Sequence, residues 1–340
     1  MNEQTAIKLT PKDFATDQEV RWCPGCGDYA ILKGVQKALA DIGTPREKTV
    51  FVSGIGCAAR FPYYIETYGF HTIHGRAPAF ATGIKLSNPE LDVWIVSGDG
   101  DALSIGGNHV MHMLRRNVDV NFLLFNNEIY GLTKGQASPT SRLGTRSPST
   151  PAGSIDAPLS ACVMALGVGA RFVARGIDRG QKELPGILQQ AHAHKGTSFV
   201  EILQNCIVYN DEVFGDITDK AIAGDAQIHV RHGEPLLFGK DNDKGLRLDP
   251  KTLKLSVAEL GKDGVTEDDI LVHDQTNHML AQMLAAMDRP DFPVAIGVLY
   301  DNPADKTYDA AVSEQLQVAK SSAKINSIEE LLNSGSTWTV

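Results

Sequence analysis

The chain has 340 residues, of which 42% are hydrophobic and 21% are charged, and its formal net charge is −9. This length suits one large α/β domain with an appendage or two modest domains, and the acidic balance argues against non-specific binding of nucleic acid. No apolar run reaches the roughly 20 residues that span a membrane, and the N-terminus lacks the pattern of a signal peptide. We therefore expect a cytoplasmic protein with reduced thiols and without nucleic-acid or membrane partners.

A predicted N-terminal arm, residues 1–20, is followed by two closely spaced cysteines. Cys23 and Cys26 flank Pro24 and Gly25, and the tight turn of these two residues brings both thiolates toward one metal, directly before a predicted helix. A redox dithiol of the thioredoxin type has the same spacing, but such a motif follows a strand. No strand is predicted before this pair, which favours metal binding.

A predicted strand over residues 49–53 ends in a glycine-rich turn that carries Cys57. The following segment, residues 72–85, combines a short strand, a turn and a helix of small residues. His74 and Arg76 lie in that turn. Taken alone, each is more often structural than catalytic, but a position beside the strand ends makes both candidates for contacts with a diphosphate or a substrate carboxylate.

The chain is organised around a βαβ unit between residues 92 and 136. Two apolar runs, residues 93–96 and 120–125, are predicted as buried parallel strands with a helix between them. Glycine-rich polar turns follow both strands, and ligands of open α/β sheets bind beyond the carboxyl ends of the strands. The alternative is a solvated turn and a polar strand end, as in any Rossmann-like protein.

Asp99 follows the first of these strands and Asn127 follows the second. They offer carboxylate and amide oxygens, which Mg²⁺ takes as ligands when it also carries phosphate oxygens. Gly98 and Gly100 let the backbone approach an anion closely, and the helix N-terminus beyond them favours negative charge. The spacing of GDG and NN resembles the fingerprint of thiamine diphosphate (ThDP) enzymes, in which the carbonyl two residues after the asparagine, here Ile129, also binds the metal.

Residues 137–157 are rich in Ser, Thr, Pro and Gly and show no period. An irregular loop of this length is usually functional, and we expect it to cover a cofactor or to pack on a partner subunit. A helix is predicted over residues 158–167, with Cys162 as a small core residue. A buried strand over residues 198–203 then ends close to Cys206.

The sequence divides the chain into a main domain and an extension. Residues 21–210 are predicted to form the main domain. Beyond it the hydrophobic pattern weakens, with helical segments within residues 265–287 and 313–332 and a strand within residues 292–300. Residues 211–340 are therefore expected to pack on the main domain or on a partner subunit.

Four of the five cysteines lie in turns or at strand ends: Cys23, Cys26, Cys57 and Cys206. One CxxC pair and two distant thiols could bind a [4Fe–4S] cluster or a structural zinc ion, and ordinary buried cysteines are the remaining alternative. The compact run of cysteines typical of a bacterial ferredoxin is missing, so the chain can hold one cluster at most. A cluster beside a ThDP site, unlike zinc, would accept electrons from the reaction.

Five sequence segments, in the same order, carry a resemblance to a known family. They are CPGCGDY, GIGCAARFPYY, HTIHGRAPAFATGIK, SGDGDALSIGGNH and FNNEIYGLTKGQASPTS, and they span about residues 20–215. Together they resemble the beta subunit of the 2-oxoacid:ferredoxin oxidoreductases. The resemblance implies an α/β fold in which a mostly parallel sheet, sandwiched by helices, binds the diphosphate of ThDP, with a C-terminal extension.

The resemblance also implies the site residues. It assigns one [4Fe–4S] cluster to the four cysteines named above. It assigns Mg²⁺ to Asp99, Asn127 and the carbonyl of Ile129. The residues around the diphosphate and the thiazolium would be Gly98, Gly100, Asp101, Ala102, Tyr130, Gly131, Leu132 and Thr133.

Lys134 indicates the substrate. Family members that use pyruvate tend to have a glycine at this position, whereas the lysine form resembles the branch that acts on 2-oxoglutarate, sometimes with a broader range of 2-oxo acids. A lysine ammonium can pair with the distal carboxylate that 2-oxoglutarate has and pyruvate lacks. The alternative is that Lys134 faces solvent or a phosphate.

The implied activity is the coenzyme A-dependent oxidative decarboxylation of 2-oxoglutarate to succinyl-CoA, with electrons passed to ferredoxin. The sequence does not specify the physiological direction. Activity would require an alpha subunit that carries a pyrimidine-binding domain and the glutamate that activates ThDP, in an α₂β₂ assembly. The alternatives are the same chemistry on pyruvate or many 2-oxo acids and, from another class, a zinc-stabilised non-catalytic interaction module, which leaves the spacing of GDG and NN unexplained.

Overall fold

The computed structural model describes residues 9–325 and 327–338. An eight-stranded sheet forms its centre, and two small sheets lie beside it. The strands, in chain order, are β1 Thr49–Ser53, β2 Tyr68–His71, β3 Asp92–Gly98, β4 Asn121–Asn126, β5 Ile129–Tyr130, β6 Gln136–Ala137, β7 Phe172–Ile177, β8 Ser198–Leu203, β9 Gln227–Val230, β10 Leu237–Phe238, β11 Lys244–Leu248, β12 Leu255–Glu259 and β13 Val294–Asp301.

The helices differ widely in length, and the shortest are single turns. In chain order the helices are α1 Asp28–Ile42, α2 Ala77–Ser87, α3 Gly107–Arg116, α4 Ala161–Gly167, α5 Leu184–Ala193, α6 Gly215–Thr218, α7 Ala223–Ala226, α8 His278–Ala286, α9 Tyr308–Ser321 and α10 Ile328–Leu332. Short 3₁₀ turns lie at Pro11–Phe14, Arg46–Lys48, Ala58–Tyr63 and Glu267–Asp269, and a π turn lies at Asp101–Ile105.

The strand order of the main sheet is β2-β1-β3-β4-β8-β7-β13-β9. The strands from β2 to β7 in this order run parallel, β13 pairs antiparallel with β7, and β9 runs parallel to β13. The prediction of a mostly parallel α/β sheet is confirmed. Because parallel strands end at the same edge, the loops after β1, β3, β4 and β8 are neighbours there.

Helices cover both faces of the sheet, and β1, β4, β7 and β8 are consequently buried along their whole length. One core contains apolar residues of α3, α4 and α8, such as Val110, Leu166 and Leu284. The other contains residues of α1 and α5, such as Val35 and Leu188. Burial of each such side chain contributes about 1.5–3 kcal/mol, so both helical layers stabilise the sheet that carries the loops.

The predicted elements agree with the structure to within a few residues. The strands predicted over residues 49–53 and 198–203 have those bounds, whereas the strand predicted from residue 72 lies immediately upstream, at β2. The helix predicted from residue 158 begins later, at α4. Its first residues are extended because the Leu159 amide donates to the carbonyl of Pro139 (2.8 Å) and ties this segment to the preceding loop.

The segment after residue 210 adds two strands to the main sheet. Its strand β13 pairs with β7, with Gly297 opposite Arg175, and β9 lines the outer edge. The antiparallel sheet β10-β11-β12 lies beside the main one. Across the part of the chain that the structure describes, no helix combines the length and the hydropathy required to cross a membrane.

The predicted N-terminal arm is only partly described. Its first eight residues lie outside the described residues. Phe14, in the turn Pro11–Phe14, is fully buried in the core formed by α1 and α5. Ala15 makes an isolated bridge to Ile65. The described part of the arm is therefore packed against the main domain.

Candidate functional site

The candidate site lies at the carboxyl edge of the sheet, where the loops after β1, β3, β4 and β8 meet. Asp101 Oδ1 accepts a hydrogen bond from the Ile55 amide (3.1 Å), which joins the loops after β3 and β1. Asn127 Nδ2 donates to Gln204 Oε1 (2.7 Å), which joins the loops after β4 and β8. The residues predicted around the diphosphate and the cysteines therefore belong to one connected surface.

Asp99 is buried at the end of β3, with 2% of its surface exposed. Its Oδ2 accepts hydrogen bonds from Ser138 Oγ (2.5 Å) and Thr140 Oγ1 (2.6 Å), which both belong to the long irregular loop. Burial raises the pKa of Asp99, and the bonds from these two hydroxyls oppose that rise. The carboxylate is thus held in one orientation at the strand end, at a desolvation cost that a cation would offset.

Asn127 is held from both sides. The Ile129 amide donates to its Oδ1 (3.2 Å), and Asn210 Nδ2 donates to its main-chain carbonyl (2.9 Å). The residue between, Glu128, has a left-handed φ of 56°, and burial raises the pKa of its carboxyl to about 7. The sharp turn at Glu128 places Asn127 and Ile129 on the same loop end, where both oxygens could face one ion.

Asp101, predicted as a cofactor contact, forms hydrogen bonds with several groups of its own chain. Its carboxylate accepts from the Gly75 amide (2.8 Å), from Ser97 Oγ (2.5 Å) and from His74 Nδ1 (2.5 Å). Because a carboxylate can only accept, the bonded nitrogen of His74 carries the proton. A Cβ on Gly54 would lie 1.9 Å from Asp101 Oδ2, so the loop after β1 needs glycine at this position. Asp101 therefore orients His74.

Arg76 lies in the same turn and is exposed. Its guanidinium donates to Nε2 of His109 on α3 (2.7 Å). Burial, followed by the charge of Arg76, lowers the pKa of His109, which keeps that imidazole neutral and able to accept. His74 is thus held by the buried carboxylate of Asp101, whereas Arg76 is held by the His109 side chain on α3.

The loop after β4 packs closely on the loop after β3. Tyr130 donates its hydroxyl hydrogen to the Gly100 carbonyl (2.9 Å), and a Cβ on Gly100 would lie 2.3 Å from the tyrosine ring. A Cβ on Gly131 would lie 3.4 Å from Cys206 Sγ and 3.8 Å from Cys57 Sγ. The loop that carries Asn127 therefore runs directly beside two of the cysteines.

The remaining predicted contacts lie in the same two loops. Ala102 is buried in the π turn, whereas Leu132 and Thr133 are exposed. Lys134 is also exposed and has a left-handed φ of 75°. A non-glycine residue in this region carries backbone strain of about 1–2 kcal/mol.

Four cysteines line one cavity: Cys23, Cys26, Cys57 and Cys206. Asn127 and Gly131 line the same cavity, which places it against the loop after β4. Gln204 Nε2 donates to Cys26 Sγ (3.2 Å). The structure therefore brings together the two thiols of the CxxC turn, the thiol after β1 and the thiol after β8.

Burial keeps two of these thiols neutral. Burial raises the pKa of Cys57 to about 12 and that of Cys26 still further, and the nearby Asp28 adds to both rises. Asp28 is itself buried, and burial raises its pKa to about 7. Ligation by a metal would displace the protons of these thiols, so metal binding would be coupled to their deprotonation.

Cys162 lies apart from the cavity, in the core under α4, as predicted. Its thiol donates to Glu201 Oε2 (3.1 Å), which also accepts from Arg175 Nε (2.7 Å). Burial alone would raise the pKa of Glu201, but the charge of Arg175 and its hydrogen bonds outweigh burial and lower it. Glu201 Oε1 accepts from Asn126 Nδ2 (2.8 Å) at the end of β4, so this buried pair supports the strand end below the site.

Sequence reasoning missed Ser138, Thr140 and Gln204. The first two lie within FNNEIYGLTKGQASPTS, but short hydroxyl side chains in an irregular loop look like ordinary turn residues. Gln204 comes two residues before Cys206, and that spacing was the available signal. None of the three has a charge or a metal-binding pattern of its own, so their hydrogen-bond partners can be identified only in the folded structure, where the loops lie together.

Comparisons with known proteins identify the family of this chain. Residues 54–202 match the family described as thiamine pyrophosphate enzyme, C-terminal TPP binding domain. The 2-oxoglutarate oxidoreductase subunit KorB of Mycobacterium tuberculosis is 47% identical over 97% of this chain and 88% of its own length. Subunit beta of 2-oxoacid:ferredoxin oxidoreductase 1 from Aeropyrum pernix is 48% identical over 58% of this chain and 62% of its own length.

A solved structure covers nearly the whole chain. It is a 2-oxoglutarate:ferredoxin oxidoreductase from Magnetococcus marinus with 2-oxoglutarate, coenzyme A and succinyl-CoA bound, and it is 30% identical to this chain. The alignment covers 98% of both chains with a TM-score of 0.78. The family resemblance found in the sequence is confirmed, and this chain belongs to the beta subunits of the 2-oxoacid:ferredoxin oxidoreductases, most like the 2-oxoglutarate branch.

Proposed function

We propose that this chain binds Mg²⁺–ThDP and one [4Fe–4S] cluster for the coenzyme A-dependent oxidative decarboxylation of 2-oxoglutarate to succinyl-CoA, with electrons passed to ferredoxin. The observation that carries the proposal is the four-cysteine cavity directly beside the loop that holds Asn127 and Gly131. The relative from M. marinus was solved with 2-oxoglutarate, coenzyme A and succinyl-CoA, which supports the same reactants here.

Asp99, Asn127 and the carbonyl of Ile129 would hold Mg²⁺ on the diphosphate. This donor set fits, because one carboxylate and two neutral oxygens leave positions for phosphate oxygens and water around a hard cation. Ser138 and Thr140 would keep the carboxylate oriented toward the ion. The proposed neighbours of the diphosphate and thiazolium are Gly98, Gly100, Asp101, Ala102, Tyr130, Gly131, Leu132 and Thr133.

The four cysteines of the cavity would bind the cluster: Cys23, Cys26, Cys57 and Cys206. The irons of a cubane occupy separate corners, so each of the four thiols would bind a different iron, whereas one zinc ion needs four ligands about 2.3 Å from a single centre. Over the described ranges, no group of three or more His, Cys, Asp or Glu side chains is placed to hold a metal ion. When bound, the cluster would supply one-electron transfer, and this chain would hold it within electron-transfer reach of ThDP.

Lys134 would pair with the distal carboxylate of 2-oxoglutarate. Its exposed ammonium stands on a strained backbone that glycine would adopt freely, and the presence of a lysine there supports a use for the charge. His74, protonated at Nδ1 by its bond to Asp101, would offer its other ring nitrogen to the substrate or the diphosphate. Arg76, in the same turn, would provide a positive charge for a carboxylate or phosphate.

The partner proposed for this chain is an alpha subunit that supplies the pyrimidine-binding domain and the glutamate that activates ThDP. As a beta subunit, the chain belongs to a multi-subunit enzyme, and we propose an α₂β₂ assembly that is inactive without its alpha chains. Ferredoxin would be the electron acceptor. A cytoplasmic location is part of the same proposal and rests on the sequence pattern.

Anaerobic purification with the alpha subunit, followed by iron, sulfide and zinc analysis, tests the cofactor assignment. Equal amounts of iron and acid-labile sulfide are expected, and zinc without iron would favour the non-catalytic module.

A ThDP-dependent assay with coenzyme A, a viologen dye and a panel of 2-oxo acids tests the substrate. The highest kcat/KM is expected for 2-oxoglutarate, and equal values for pyruvate would favour the broad-range alternative.

A further inference from the structure

Gln204 is a buried amide that contacts both candidate metal sites. Only 1% of its surface is exposed, and it lies immediately after β8. Its Oε1 accepts from Asn127 Nδ2 (2.7 Å), while its Nε2 donates to Cys26 Sγ (3.2 Å) and to the carbonyl of Asn205 (2.6 Å). One side chain thus links a proposed Mg²⁺ ligand to a proposed cluster ligand.

Main-chain groups at both ends decide which way this amide points. The Ile129 amide can only donate, and it donates to Asn127 Oδ1 (3.2 Å), so the Asn127 nitrogen faces Gln204. The carbonyl of Asn205 can only accept, so it requires the nitrogen of Gln204. The second hydrogen of that nitrogen is then directed to Cys26 Sγ, and each polar group of the Gln204 side chain has a partner.

We infer that Gln204 is a positioning residue that couples the two sites and sets the reduction potential of the cluster. Hydrogen-bond donors to cluster sulfurs raise the reduction potential, because the reduced cluster carries one more negative charge and gains more from the donor. At the other end, Oε1 of Gln204 accepts a hydrogen bond from the Asn127 amide nitrogen, which leaves the Asn127 amide oxygen free to face the proposed cation. The inference deepens the proposed function and rests on it.

The surroundings of the Cys26 sulfur make its hydrogen bond from Gln204 important. The sulfur is partly buried in the cavity, beside three other thiols and the buried Asp28, so negative charge on it has few compensating partners. The neutral N–H donor of Gln204, at 3.2 Å, stabilises such a charge without adding one of its own. The same amide that orients Asn127 therefore favours transfer of an electron toward the cluster.

Two substitutions separate the two ends of Gln204. Gln204→Met keeps the length of the side chain and removes both the donor and the acceptor. Gln204→Glu keeps an acceptor for Asn127 and replaces the donor by a carboxylate oxygen. The matched control is Gln227→Met on β9, away from both sites, which removes another buried amide that donates to the carbonyl of Ile217 (2.8 Å).

The variants are measured in the complex with the alpha subunit. A redox titration followed by EPR gives the midpoint potential of the cluster, and Mn²⁺ EPR in the presence of ThDP gives the affinity of the cation site. We expect Gln204→Met to favour the oxidised cluster by roughly three- to tenfold, where tenfold corresponds to 59 mV for one electron, and to weaken Mn²⁺ binding by a similar factor.

Gln204→Glu should lower the potential at least as much, but leave Mn²⁺ affinity within about twofold of the unsubstituted complex, since the bond from Asn127 remains. Gln227→Met should change neither quantity. Unchanged potentials in both Gln204 variants would overturn the inference, as would loss of iron from both with normal thermal unfolding, which would indicate a purely structural role. An unsubstituted complex without iron would instead refute the proposed function.

Discussion

The oxygen ligands and the sulfur ligands of the proposed site differ in how the chain holds them. Asp99 accepts from two hydroxyls of the long loop, and Asn127 is bonded through its amide nitrogen, its amide oxygen and its carbonyl. Among the thiols, Cys26 accepts from Gln204, whereas Cys23 is exposed. The proposed oxygen ligands are thus held by several hydrogen bonds within the chain, whereas the proposed sulfur ligands have fewer such bonds.

This difference has an energetic origin. A carboxylate or an amide can be satisfied by hydroxyls and backbone groups, so a cation site can exist without its cation. The thiols of the cavity have fewer such partners, and burial, which disfavours the charged form, raises the pKa of Cys57 to about 12. Substitutions at the oxygen site should therefore give graded effects, and those at the sulfur site should be all-or-none.

The largest effect is expected at the cysteines. Cys206→Ser removes one ligand of the proposed cluster, and the complex should lose nearly all iron, its absorbance near 400 nm and dye reduction. Cys162→Ser is the matched control, because that thiol lies in the core and donates to Glu201, as a serine hydroxyl could. If Cys206→Ser retained full iron, the assignment of this cysteine would be wrong.

A large but graded effect is expected at the cation site. Asp99→Asn removes the carboxylate charge while the shape of the side chain is kept, and Mg²⁺-dependent ThDP binding should weaken by about 100-fold, which is about 2.7 kcal/mol. Isothermal titration of the cofactor-free complex measures this, with the exposed Asp41→Asn on α1 as the control. Cluster content should be unchanged, because the two ligand sets are separate. A joint loss of cluster and ThDP would contradict that separation.

The substrate end is tested at Lys134. Lys134→Met keeps the length and removes the charge, and kcat/KM for 2-oxoglutarate should fall by about 10- to 100-fold, the usual value of a charged hydrogen bond, with little change for pyruvate. Lys134→Gly should act in the same direction and also relieve the strained φ of 75°. The exposed Lys33→Met on α1 serves as the control. An unchanged ratio of the two substrates would disprove the assignment.

The smallest effect is expected at the residues that hold the carboxylate. Thr140→Val removes one of the two hydroxyls bonded to Asp99 and should weaken Mn²⁺ or Mg²⁺ binding by roughly fivefold, since a hydrogen bond contributes about 1 kcal/mol. Thr197→Val removes an equally buried hydroxyl, which donates to the carbonyl of Val118 (2.6 Å) at the other end of the sheet. Equal affinities in the two variants would show that the oxygen site does not need this loop for its order.

Much of the fold was predictable because its determinants are local. The apolar runs of β1 and β8 and the glycine-rich turns after β3 and β4 are short sequence patterns, and parallel strands that alternate with helices leave few possible arrangements. The antiparallel pairing of β13 with β7 was not predictable in this way, because it joins residues such as Gly297 and Arg175 that are far apart in the chain. Long-range pairing of this kind has no local signature.

The candidate site likewise has features that the sequence predicts locally and features that depend on the tertiary structure. Five ordered segments were enough for the sequence by itself to identify the family, and cysteine spacing and the GDG and NN turns predicted the types of ligand, because metals and diphosphates require specific atoms. Tertiary structure alone decided how those atoms are held: Asp101 orients His74, Ser138 and Thr140 hold Asp99, and Gln204 joins Asn127 to Cys26. Common polar residues acquire such roles only through their neighbours, since a hydrogen bond depends on distance and direction between groups that the chain brings together when it folds.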